Sequence, residues 1–201
     1  MRGGATEVVP PSPRSDPVVG FAPALLLQAQ GIRGAIFDVD GVLTDGRLYL
    51  SERGEEFKAF CTLDGHGLKL LQQAGIAPLV ISGRDSPALR RRVADLGLGH
   101  AVYGAADKFA AAERLLAELG LGWGEVAAMG DDWPDLPLLG RAAFACAPPQ
   151  AHAEVRARAH HVTRAAAGHG AAREFCDLLL CASGRYVDLL AGELRTLDGG
   201  A

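Results

Sequence analysis

The sequence predicts an α/β protein built on a Rossmann-like, doubly wound parallel sheet. Two patterns carry that prediction. From Phe21 onward, short apolar runs alternate with longer amphipathic ones. The short runs are continuously apolar rather than alternating, as strands are when helices cover both faces of a sheet. Strand–helix–strand units of this kind join by right-handed parallel crossovers.

The elements follow in order. Gly34–Phe37 is the first strand. Residues 47–60 break the alternation with two partly apolar runs around Glu52-Arg53-Gly54, which predicts a β-hairpin flap over the end of that strand. Residues 67–73 carry Leu68, Leu70 and Leu71 at helical spacing, and residues 76–81 form the next strand. Ser86 caps a helix whose first residue is Pro87 and whose last is Leu96. Residues 100–103 make a strand, and Asp107 caps a helix ending at Leu119. Gly75, Gly97 and Gly120 follow the three helices, where a left-handed ending favours glycine. Strands are expected again at residues 125–129 and 142–145. A helix over residues 175–180 reads as packing or subunit contact.

Composition narrows the function. The chain has 201 residues, with 20 Lys+Arg against 24 Asp+Glu and a net charge of −4. This charge disfavours nucleic acid and anionic membrane as partners, since both need clustered positive charge. No apolar stretch reaches the ~18–20 residues of a bilayer span. The four cysteines, Cys61, Cys146, Cys176 and Cys181, form no CxxC pair and read as free thiols of a cytoplasmic protein. Pro10, Pro11, Pro13 and Pro17 mark residues 1–20 as a disordered leader without a signal pattern. Residues 21–201 then form a single domain with a C-terminal tail.

Four segments carry chemistry. Asp38-Val39-Asp40-Gly41 follows the first strand directly, and two carboxylates that close need a compensating charge, most simply a divalent cation. The closing Glu of a calcium loop is missing. Ser82-Gly83-Arg84 places a hydroxyl and free amides ahead of a helix, an anion site. Lys108 at a helix start opposes the helix dipole and calls for an anionic partner. Gly130-Asp131-Asp132-Trp133-Pro134-Asp135 adds three carboxylates after another strand, of which N-capping by Asp132 accounts for one. Parallel strands converge at their carboxyl ends. The assembled site would hold Asp38, Asp40, Ser82, Lys108 and Asp131, oxygen ligands for a hard cation beside a phosphate cradle.

The ordered set DxDGxxTD, SGR, Lys and GDDxxD resembles the haloacid dehalogenase superfamily of phosphatases. Within it, the chain is similar to the 3-deoxy-D-manno-octulosonate 8-phosphate phosphatases of lipopolysaccharide sugar synthesis. Asp64-Gly65-His66-Gly67 resembles that family's DGxG segment, and residues 168–174 resemble its Gly-rich GAxRE tail. Cys61-Thr62-Leu63 and Ala167 depart from the pattern. The resemblance implies that Asp38 is the nucleophile and Asp40 the general acid and base. It implies Mg²⁺ held by the Asp38 carboxylate, the Asp40 carbonyl and Asp131, with Asp132 and Asp135 orienting ligands or Lys108. Ser82, Gly83, Lys108 and Asp64 would bind phosphate or substrate. Arg84 and Arg173 would meet the carboxylate of a sugar acid, which guanidinium matches bidentately.

Spacing bears on access. Asp45 and Ser82 are 37 positions apart, Lys108 and Asp131 23, and neither gap holds a cap domain. The resemblance implies a homotetramer whose hairpins and C-terminal tails complete neighbouring active sites, with a small-molecule sugar phosphate as substrate. The competing readings are a phosphatase of a nine-carbon sialic-type acid, a phospho-acceptor signalling domain and an idle oligomerisation domain. The first-strand position of the DxD disfavours the signalling domain, and retention of Asp38 and Asp40 the idle one.

Overall fold

A computed structural model describes residues 18–198. In chain order these form helix α1 (Pro23–Gln28), strand β1 (Gly34–Phe37), strands β2 (Tyr49–Ser51) and β3 (Gly54–Phe57), helix α2 (Thr62–Gln73), β4 (Ala77–Ile81), α3 (Pro87–Leu96), β5 (His100–Val102) and α4 (Lys108–Leu119). Then come β6 (Val126–Met129), α5 (Leu136–Arg141), β7 (Phe144–Ala147), α6 (Ala153–Arg156), β8 (His161–Val162), α7 (Ala171–Ala182) and α8 (Tyr186–Asp198). Two 3-10 turns, Trp123–Glu125 and Trp133–Asp135, flank β6.

The continuously apolar runs make one parallel sheet in the order β5-β4-β1-β6-β7-β8. From β1 the chain builds outward through β4 and β5, then returns to the other side of β1 through β6. Strand β1 is therefore the switch point, and the crevice beyond its carboxyl end is where such sheets bind ligands. Phe37 pairs with both Val80 and Met129, so Asp38 and Gly130 leave the sheet at one level, and β4 runs one residue further, to Ile81, before Ser82. Side chains of β1 alternate between two cores. Ala35 and Phe37 join α2, α3 and α7 on one face, where Phe37 meets Phe175 at 5.5 Å. Ile36 joins α4, α5 and α6 on the other.

Two of the three predicted side-chain caps form, and Asp132 makes no side-chain cap bond. The amide of Leu89 donates to Ser86 Oγ at 3.3 Å, and that of Ala110 to Asp107 Oδ1 at 3.0 Å. Strands β2 and β3 pair antiparallel, with Tyr49 and Phe57 stacked at 4.4 Å. Cys146 and Cys176 are buried, and all four cysteines are free.

Three elements differ from expectation. Helix α2 starts at Thr62 rather than Gly67, because its glycines serve close packing. A Cβ at Gly67 would stand 3.1 Å from Cys176 Sγ on α7. Strand β7 begins two residues later than residue 142, because the Ala142 amide still donates to Leu138 O at 2.9 Å and extends the end of α5. Helix α7 runs Ala171–Ala182 rather than over residues 175–180, and Phe175, Leu178 and Leu180 are fully buried in the core, the packing role the sequence offered. The leader expected over residues 1–20 falls, up to residue 17, outside the described residues.

Candidate active site

Asp38 leaves β1 with its amide donating to Met129 O at 3.1 Å, which locks the start of the acidic loop to β6. Gly41 then turns at φ +95° beneath the Asp131 carboxylate. Lys108 opens α4 and lies buried, its Nζ 2.7 Å from Asp38 Oδ1 and 2.7 Å from Asp135 Oδ1. The anion that a lysine at a helix start requires is thus a pair of carboxylates. Burial acts to lower the Lys108 pKa, but the charges of Asp38 and Asp135 outweigh it and hold the ammonium above its ordinary value. Ser82, also buried, follows β4, and its Oγ accepts the Arg84 amide at 3.1 Å.

These groups meet in one cavity of about 640 Å³. Asp38, Asp40, Ser82, Gly83, Arg84 and Lys108 line it together with Asp131, Asp132 and Asp135. Asp135 is the structural centre of its loop. Its Oδ2 accepts the amides of Asp131 at 3.0 Å and Asp132 at 3.3 Å, while Oδ1 holds Lys108. Asp132 itself is exposed at the rim.

The charge balance fits a cation. Asp38, Asp131 and Asp135 bring carboxylate oxygens within 4.8 Å of one another. Both Asp135 oxygens already have partners, which leaves Asp38 and Asp131 facing each other. Burial, then Asp135, pushes the Asp38 pKa up to about 6, against the pull of Lys108. Burial, then Asp38 and Asp135, pushes that of Asp131 up to about 8. One lysine does not neutralise three carboxylates. A hard divalent cation would, and the all-oxygen donor set suits Mg²⁺.

Two expected site residues lie elsewhere. Asp64 is 1% exposed and accepts the amides of Gly170 at 3.3 Å and Arg173 at 2.8 Å. Gly170, at the N-cap of α7, has no side-chain oxygen, so Asp64 caps that helix from α2. Arg173 bonds Asp177 through Nε at 2.8 Å, in a separate cavity beside His66 and Tyr186. The tail also braces the acidic loop, since the Gly168 amide donates to Val42 O at 3.1 Å. The residue that sequence reasoning missed is Lys58, just beyond β3, with Nζ 2.6 Å from Asp40 Oδ1. Its signal was strand alternation, which sends Phe57 and Lys58 to opposite faces.

The sheet, its switch-point cavity and the buried lysine between aspartates define a phosphohydrolase of the haloacid dehalogenase class. A family model for haloacid dehalogenase-like hydrolases matches residues 101–175. The 3-deoxy-D-manno-octulosonate 8-phosphate phosphatase of Escherichia coli (strain K12) is 40% identical over 161 residues, spanning 80% of this chain and 86% of its own. The crystal structure of the phosphatase so named from Yersinia pestis is 39% identical, with a TM-score of 0.80 over 83% of this chain and 90% of that one. That from Moraxella catarrhalis, in complex with magnesium ion, phosphate ion and KDO, is 36% identical, with a TM-score of 0.81 over 84% of this chain and 97% of that one. This chain belongs to the 3-deoxy-D-manno-octulosonate 8-phosphate phosphatase family, and it is a phosphatase.

Proposed function

We propose that this chain hydrolyses 3-deoxy-D-manno-octulosonate 8-phosphate to the free sugar acid and phosphate. The observation that supports this most is Asp38 held 2.7 Å from the Lys108 ammonium in a cavity that also takes Ser82 and Asp131. Asp38 attacks phosphorus in line, and its new O–P bond forms as the bond to the sugar oxygen breaks. Asp40 gives its proton to the leaving oxygen, then takes one from the water that cleaves the aspartyl-phosphate and frees phosphate. Ser82 and Lys108 hold the phosphoryl oxygens, and Arg84 meets the substrate carboxylate. Asp38, Asp131 and the Asp40 carbonyl would hold Mg²⁺. When bound, the ion supplies positive charge that screens the repulsion between nucleophile and phosphate.

The hairpin covers the cavity, and the active form is a cytoplasmic homotetramer in which hairpins and C-terminal tails complete neighbouring sites. Exposed Leu50 and Phe57 on the hairpin support that assembly. The test is phosphate release with Mg²⁺ across phosphorylated sugars and sugar acids, nine-carbon acids included. The eight-carbon acid should be the best substrate. Asp38→Asn should lower turnover at least about 10³-fold, and an Asp38→Asn protein that keeps most of its activity would end the assignment. Gel filtration of a fully active monomer would remove the tetramer.

A further inference from the structure

Asp40 does not share the surroundings of the other acids. Its Oδ1 lies 2.6 Å from Lys58 Nζ, and its Oδ2 lies 3.9 Å from Arg84 Nε. Lys58 comes from the end of the hairpin, 18 positions further on. The hairpin is open to solvent, with Leu50 65% and Phe57 55% exposed, yet the Lys58 side chain is only 1% exposed. Desolvating an ammonium carries a large cost, and an ion pair left at the surface returns little. A lysine on an open hairpin avoids that cost by pointing outward. This one points inward to a carboxylate on the cavity wall.

We infer that Lys58 is a positioning residue that fixes the rotamer of Asp40, so that the carboxyl reaches the departing oxygen only while the hairpin is seated. Lys58 itself does not line the cavity. The hairpin thereby becomes part of the proton-transfer apparatus as well as a cover. The inference rests on the proposed role of Asp40.

Leaving-group dependence tests it. An alkyl phosphate needs its leaving oxygen protonated, whereas p-nitrophenyl phosphate releases a stable anion without a proton. Full-length Lys58→Met with Mg²⁺ should form the aspartyl-phosphate about 10²-fold more slowly from the sugar-acid phosphate, the scale of a lost general acid. Its first-turnover burst of nitrophenolate should stay within about threefold of wild type on the same reasoning. Lys58→Arg should recover most of the sugar-phosphate rate, and both variants should bind Mg²⁺ as wild type does. Equal slowing of both substrates, or slowing of neither, would overturn the inference. If Lys58→Met does not fold, the same comparison is made with Lys58→Gln. Wild-type turnover of the sugar phosphate and its loss in Asp38→Asn decide the functional reading separately.

Discussion

Gly41 is the narrowest point of the acidic site, and replacing it with alanine tests how that site is built. The residue sits at φ +95°, where an alanine pays about 1–2 kcal/mol in backbone strain. The added Cβ would also stand 2.5 Å from Asp131 Cγ, where ordinary contact begins at 3.4 Å. The Asp131 carboxylate must then withdraw by about 1 Å, a displacement that costs on the order of 10²-fold in rate when it misplaces catalytic groups. Three results are expected for Gly41→Ala. Its melting temperature falls by about 2–4 °C for each kcal/mol of strain. Calorimetric Mg²⁺ affinity drops at least about tenfold, equivalent to ~1.4 kcal/mol. Turnover at saturating Mg²⁺ drops about 10²-fold. A variant that binds Mg²⁺ and turns over like wild type would show that Asp131 does not need its seat above Gly41.

Two further outcomes follow from the same geometry. Asp38 and Asp131 keep their protons in the fold to about pH 6 and about pH 8, against an ordinary 3.8, so between those limits the metal-free fold binds more protons than the unfolded chain. Its stability from these groups therefore falls as pH rises. Mg²⁺ must displace the same protons, so the rise in melting temperature on replacing EDTA with excess Mg²⁺ should grow from about pH 5 to about pH 9; a pH-independent rise would contradict the assignment of ligands. Asp64→Ala should lose about 0.5–2 kcal/mol, as removal of a helix cap does, and leave Mg²⁺ affinity unchanged. A raised KM for the sugar phosphate with unchanged melting would return Asp64 to the site.

The sequence by itself determined five of the sheet's six strands, all but β8, together with the hairpin, two side-chain caps and the acid–hydroxyl–lysine set. Each of these rests on local information: a buried strand is apolar throughout, a cap sits beside its own helix, and a parallel sheet brings its carboxyl ends together whatever the loops do. Roles that depend on distant partners were decided by the tertiary structure. Asp64 resembles a ligand in the chain, yet α7 takes it as a cap because Gly170 offers no side-chain oxygen. Asp135 and Asp132 look alike three positions apart, but only Asp135 turns inward to Lys108 and two amides. Lys58 carries no motif, and only the folded hairpin brings it to Asp40. Periodicity and spacing record which face a residue occupies, whereas the partner on that face is set by chain many residues away.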